Sequence, residues 1–200
     1  MKKAAYIHII LIVLEVIALV HDLLSFGLGM FKYYTIDSNI LQMVVSAVIV
    51  YIILGKKQQE IPVRVSALHL VCAVCLTITF LIALLVLAPQ EGFAYYFLQN
   101  VAPINHLIGP VLSVVTFLFM EKSPAFPKQT VLMPMAATLL YGLIALLLNA
   151  MRVLDGPYFF LKIYETPAGT IVLWFCIIAV LCLALSAVYL WIRKRMQAKK

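Results

Sequence analysis

The sequence predicts an all-α polytopic membrane protein, a bundle of six transmembrane helices forming one domain over residues 1–200. Three observations carry this prediction. Of the 200 residues, 65% are hydrophobic and only 12% charged, against about 25% charged in ordinary soluble domains. Mean hydropathy is +1.08. Apolar runs of near-bilayer length also recur six times, separated by turn-forming residues. A soluble fold of this size leaves much of its surface in water and has nowhere to hide so much apolar side chain. The bilayer itself is therefore expected to be the solvent.

A spanning helix needs about 20 apolar residues. The runs that meet or approach this cover residues 5–26, 36–54, 65–88, 104–120, 131–150 and 170–192, the fourth being the shortest. Between them lie Gly55 to Pro62, Pro89 to Gly92, Glu121 to Pro124 and Asp155 to Pro157, all rich in residues that end helices. The opening Met1-Lys2-Lys3 followed by an apolar stretch resembles a secretory signal. The stretch is long, however, carries His8 and Glu15, and meets no small-residue cleavage pattern, so it reads as a retained first helix.

Orientation follows from the basic residues near the span ends. Twelve of the fifteen Lys and Arg fall on one side: Lys2, Lys3, Lys56, Lys57, Arg64, Lys122, Lys128, Arg193, Lys194, Arg195, Lys199 and Lys200. Only Lys32, Arg152 and Lys162 fall on the other. An even helix count with both termini cytoplasmic accounts for this split. The net charge of +7 is thus scattered over helix ends. It forms no basic patch interleaved with aromatics, and no nucleic-acid partner is expected. Membrane lipids are the expected surroundings. Cys72, Cys75, Cys176 and Cys182 all lie inside apolar spans, the usual place of free buried cysteine.

Polar residues inside such spans are costly and turn toward a cavity or a partner. On the first span His8, Glu15 and Asp22 are spaced by seven, close to two helical turns, so they share one face. Glu15 falls near mid-bilayer and is expected to face the bundle interior against a polar partner. The alternative gives it a proton or ion path, in a small transporter or structural bundle without enzymatic activity. His69, Cys72 and Cys75 stand three apart on one helix, which supplies at most part of a tetrahedral zinc site. No metal and no cofactor are expected. Thr35, Ser38, Asn39 and Gln42 form a polar stripe at the outer end of the second span, read either as capping and interhelical hydrogen bonding or as a site. His106, preceded by Asn105, opens the fourth span at the same level. Pro110 has no N–H for the His106 carbonyl, so irregular helix is expected there. Asp155 and Tyr158 follow the fifth span on the same side.

The run Tyr33-Tyr34-Thr35-Ile36-Asp37-Ser38-Asn39-Ile40-Leu41 resembles the aromatic-aromatic-Thr-x-x-Ser-Asn-x-Leu signature of the androgen-induced protein family, whose bacterial relatives are small six-helix membrane proteins. The segment Asn105-His106-Leu107-Ile108-Gly109-Pro110 is similar to that family's histidine segment. Asp155 to Leu161 is similar to its Tyr-Pro-Tyr-Pro-Phe-Leu segment, with Gly156 in place of an aromatic and Phe159 in place of a proline. The family's eukaryotic members are threonine hydrolases that cleave fatty acid esters of hydroxy fatty acids. The resemblance implies that Thr35 is a nucleophile and His106 its base, with a lipid ester as substrate.

That chemistry is physically sound. A threonine hydroxyl needs an adjacent base to become a nucleophile, and histidine transfers protons near neutral pH. A third group must orient the imidazole, for which Asp155, Asn105 and a backbone carbonyl are candidates. Oxyanion donors are available from Asn39, Ser38 or the free N–H groups at the start of the second helix. No G-x-S-x-G elbow is present, so an α/β-hydrolase is excluded. The charge split makes one further prediction: reporter domains fused after Lys57 and after Gln90 should report opposite compartments. Reports from the same compartment would remove the third span.

Overall fold

The computed structural model describes residues 1–197, and among these it contains helices, turns and irregular segments but no strand. Lys199 and Lys200, which the sequence places in the basic C-terminal tail, lie outside the described residues. Six rods make up the bundle. The first is α1, Lys2–Phe26. The second is α2, Tyr34–Val50, continued by a π-helical turn to Gly55. The third is α3, Val63–Ile82, prolonged through a further π turn to Glu91. A short helix, α4 (Phe93–Phe97), follows. The fourth rod, Ile104–Met120, is a regular segment, α5 (Gly109–Val115), between two π turns. The last two are α6, Met133–Ala150, and α7, Ala168–Gln197.

Five of the rods are long and apolar enough to cross a membrane, and the fourth is apolar but shorter. The surface is as informative as the lengths. Val13, Ile17, Leu24, Leu140, Leu147, Val172 and Val180 are all exposed on the outer rods, whereas His8, Gln42, Ser46, His69, Ser113 and Thr116 are fully buried. An apolar exterior with polar side chains buried among the helices departs from the pattern of a soluble protein and is compatible with a multi-pass membrane protein.

The centre of the bundle is α3. A helix that is apolar all round is buried all round, and twelve of its twenty residues are buried. Leu70, Ala73, Val74 and Ile78 pack with Phe117 and Leu118 of the fourth rod and with Cys182 and Tyr189 of α7. On the other side Cys72 packs with Ala4, Ala5, Val45, Ile49 and Ile53 of α1 and α2. Small Ala and Cys side chains let the neighbouring helices approach closely, as bundles in lipid require.

The irregular turn expected at Pro110 is present. Residues 104–108 form a π turn, in which the Gly109 N–H reaches back to the Ile104 carbonyl. This widened turn accommodates the N–H that Pro110 lacks.

The connection after α6 is shaped by aromatic stacking and by Asn149. Its side chain accepts a hydrogen bond from the Ile163 N–H at 2.8 Å and donates to the Leu154 carbonyl at 3.1 Å. Tyr158, Phe160 and Trp174 stack in sequence, with centroids 5.5 and 5.0 Å apart. Gly156 permits this turn. A Cβ there would lie 2.5 Å from the Leu161 carbonyl oxygen and 2.8 Å from the Lys162 nitrogen, both main-chain atoms that cannot step aside. Gly156→Ala is therefore expected to cost about 1–3 kcal/mol and to displace the Tyr158 segment, read as a lowered melting temperature in detergent. A control substitution at Gly169, where a Cβ meets nothing within 4 Å, should leave stability unchanged.

Candidate functional site

Thr35 is the second residue of α2. Tyr33 precedes the helix in extended conformation, and no side chain caps it. The Ile36 and Asp37 N–H groups bond back to the Tyr33 carbonyl at 3.1 and 3.2 Å. The N–H groups of Tyr34 and Thr35, at the first two helical positions, have no intrahelical acceptor. They sit at the positive end of a 17-residue helix, where a developing negative charge is favoured.

His106 sits in the π turn that opens the fourth rod. Its Nδ1 donates to the Ala102 carbonyl at 3.2 Å, one helical turn back. The Tyr96 carbonyl also faces the ring. The rings of Tyr96 and Phe97 from α4 stand edge-on to the imidazole, with centroids 5.5 and 6.2 Å away. Of the three orienting groups the sequence offered, a backbone carbonyl is the one used. Asn105 instead donates its amide to Asp22 Oδ2 at 2.9 Å, and Asp155 is exposed outside the cavities described below.

Thr35, His106 and Tyr158 come together on the walls of two cavities. The inner one, about 600 Å³ including its opening, is mostly apolar and runs between α2, α3, α6 and α7 past Ile78, Ile82, Leu139, Phe175 and Ile178. The outer one, about 1460 Å³ including its opening, is more polar and adds Asp22, Gln90, Asn105 and Lys162. Apolar walls with a few convergent polar groups at one end describe a small-molecule site. The Tyr158 phenol faces the Thr35 hydroxyl and the Tyr34 and Thr35 main-chain N–H groups. Burial pushes this phenol up to about 12, while those donors pull it back. It therefore stays protonated near neutral pH.

The remaining stripe residues serve structure. The Ser38 hydroxyl donates to the Tyr34 carbonyl at 2.5 Å, and the Asn39 amide donates to the carbonyls of Thr35 and Asn105 at 3.0 and 3.3 Å. Their donors are turned onto carbonyls and not into either cavity. Gln42, fully buried, accepts from the Ser113 hydroxyl at 2.5 Å and donates to Ser46 Oγ at 2.8 Å. The α4 aromatics around His106 are the part of this environment that the sequence does not single out. Their one signal is the aromatic run Phe93 to Phe97 after Gly92.

Glu15 does face the interior, with His8 and Asp22 buried on the same face of α1, but the partner expected for it is not a hydrogen bond. Glu15 Oε1 and Asn39 Oδ1 are both buried without a donor. They converge on the Cα of Gly109, where a Cβ would lie 2.8 and 3.4 Å from them. A small cavity lined by Glu15, Asp22, Asn39 and Asn105 adjoins them.

Compared with family models, curated proteins and solved structures, the chain matches none.

A buried carboxyl without a hydrogen-bond partner can be replaced by an amide, which is neutral and always carries a donor. Glu15→Gln is expected to give a melting temperature equal to or above wild type. A clear loss of stability would mean that the carboxyl has a partner the geometry does not provide.

Proposed function

We propose that the protein is a multi-pass membrane hydrolase that cleaves lipid esters with Thr35 as nucleophile and His106 as general base. The observation that carries this reading is the meeting of Thr35, His106 and Tyr158 at the junction of an apolar cavity and a polar, open one. The resemblance of the Thr35, His106 and Tyr158 segments to the androgen-induced family points the same way. In this reading all six rods cross the membrane, the termini are cytoplasmic, and the site lies near the outer face.

An ester enters with one acyl chain in the apolar cavity and its carbonyl at the start of α2. The imidazole, held at Nδ1 by the Ala102 carbonyl, takes the Thr35 hydroxyl proton at Nε2 as the oxygen attacks the carbonyl carbon. The carbonyl π electrons move onto oxygen. The Tyr34 and Thr35 N–H groups, with the protonated Tyr158 phenol, donate to that oxyanion. Collapse breaks the ester C–O bond, and the imidazolium returns its proton to the leaving alcohol. Water, deprotonated by the same imidazole, then releases the acid from the acyl-threonine and restores the hydroxyl.

The test is turnover of a fluorogenic long-chain ester by protein in detergent or vesicles. Groups that act as one unit do not add, so Thr35→Ala, His106→Ala and the double variant should each lose roughly 10²–10⁴-fold. Thr35→Ser should retain part of the activity, since the hydroxyl survives. Equal turnover by wild type and Thr35→Ala would reject the reading. A rival transporter using the Glu15 face requires the opposite pattern, with Glu15→Gln abolishing function and Thr35→Ala leaving it intact.

A further inference from the structure

At the opposite end of the bundle a second polar cluster has no part in the proposed reaction. His8 comes from the start of α1, His69 from the first half of α3, Glu121 from just beyond the fourth rod and Arg193 from the end of α7. The side chains of His8, His69 and Glu121 are wholly buried and that of Arg193 nearly so. His8 Nε2 lies 2.9 Å and His69 Nδ1 2.6 Å from the same oxygen, Glu121 Oε1. The three donor atoms all fall within 4.8 Å of one another.

Hydrogen bonding accounts for one histidine and not for the other. Ser113 donates to Gln42, Gln42 donates to Ser46, and the Ser46 hydroxyl is left to donate to His8 Nδ1 at 3.0 Å. His8 is then the Nε2–H tautomer, donating to Glu121. His69 Nδ1 approaches the carboxylate to 2.6 Å but out of line for a regular N–H···O bond. That separation is shorter than an ordinary charge-assisted N–H···O contact, and the alignment of one is missing.

Arg193 does not saturate the carboxylate either. Its Nη1 donates to the Phe117 carbonyl at 2.7 Å, and its Nη2 donates to the Ser66 and Ser123 hydroxyls at 2.9 and 3.0 Å. The guanidinium lies 4.2 Å from the Phe117 ring centroid. It stands 3.6 Å from Glu121 Oε2, and that oxygen has no hydrogen bond. Every outward-facing atom of the trio is thus supported: His8 Nδ1 by Ser46, His69 Nε2 by Ser113 at 3.4 Å, and Glu121 Oε2 by the Arg193 charge. The three inward atoms share one point. Metal sites have this pattern, with the ligands converging and their far atoms held by an outer shell.

We propose that His8, His69 and Glu121 form a binding site for one divalent transition metal, with zinc the ion that best suits the donors. Two imidazoles and a carboxylate are a known zinc set. Zinc–donor bonds of about 2.0–2.2 Å are reached by small side-chain movements, with the tautomer of His8 changing as Nε2 gives up its proton. The site is structural: it would clamp α1, α3 and the fourth rod at the end remote from Thr35. The sequence spacing pairs His69 with Cys72 and Cys75, but the fold pairs it with His8 and Glu121. Cys75 turns to Thr138 Oγ1 at 3.7 Å.

The experiment uses full-length, tag-free protein in detergent, exposed to zinc chloride, dialysed, and assayed by mass spectrometry for metal per chain. About one tightly held equivalent is expected, and removing it with a chelator should lower the melting temperature reversibly. His8→Gln and Glu121→Gln should lose the zinc, while Cys72→Ser and Thr35→Ala keep it. Folded wild-type protein that retains no zinc, or a His8→Gln variant that retains a full equivalent, overturns the proposal. Should the variants fail to fold, wild-type stoichiometry and chelator-dependent melting decide alone. Neither readout depends on ester turnover, so this site and the hydrolase reading fail or stand separately.

Discussion

Polar side chains carried on apolar helices must be answered from inside the bundle, and most of this architecture follows from that constraint. An amide or hydroxyl left unpaired in an apolar medium costs several kcal/mol. Each rod here carries at least one such group, so the helices are fixed in rotation by which face bears it. His8, Glu15 and Asp22 turn α1 inward along one line. Ser38, Asn39, Gln42 and Ser46 do the same for α2. Ser113 meets Gln42, and Thr138 meets the Tyr34 hydroxyl at 2.7 Å, so the fourth rod and α6 are registered against α2. Shape alone would not set these rotations, because lipid tails are as apolar as the leucines they touch.

The polar groups gather at two ends with different character. At one end Glu121, His8, His69 and Arg193 are sealed, brought together from α1, α3, the end of the fourth rod and α7. There the Ile61 N–H also bonds the Lys122 carbonyl at 2.8 Å, joining two connections. At the other end the groups line space: two cavities meet at Thr35, His106 and Tyr158. A closed cluster suits holding helices together, whereas an open one suits admitting a ligand. Helix starts at the open end add free N–H groups that a sealed cluster would have had to satisfy.

Irregular backbone borders the open end as well as the sealed one. The π turn at 104–108 and the uncapped start of α2 both border cavities, where irregular backbone is tolerated. The turn at Gly156 and the stacked Tyr158, Phe160 and Trp174 bring a residue from a connection onto the same wall. Here the local deviations from ideal helix are what place the side chains.

By itself the sequence determined what depends on composition and local spacing. Apolar run length marked the long helices, because a helix must carry enough apolar surface to fill its surroundings. The seven-residue spacing of His8, Glu15 and Asp22 and the stripe from Thr35 to Gln42 fixed which faces turn inward. Pro110 foretold the irregular turn under His106. Only the tertiary structure decided which polar groups meet, since that depends on how the rods are arranged around α3. Asn105 went to Asp22, leaving the Ala102 carbonyl to hold His106. Asp155, adjacent in sequence to the Tyr158 segment, was left exposed. His69 found His8, 61 positions before it, and Glu121, 52 positions after it, rather than the cysteines one and two turns away. On one helix, residues three apart share a face but diverge from its axis. Convergence on a point needs side chains from different rods, and no spacing within one segment records that.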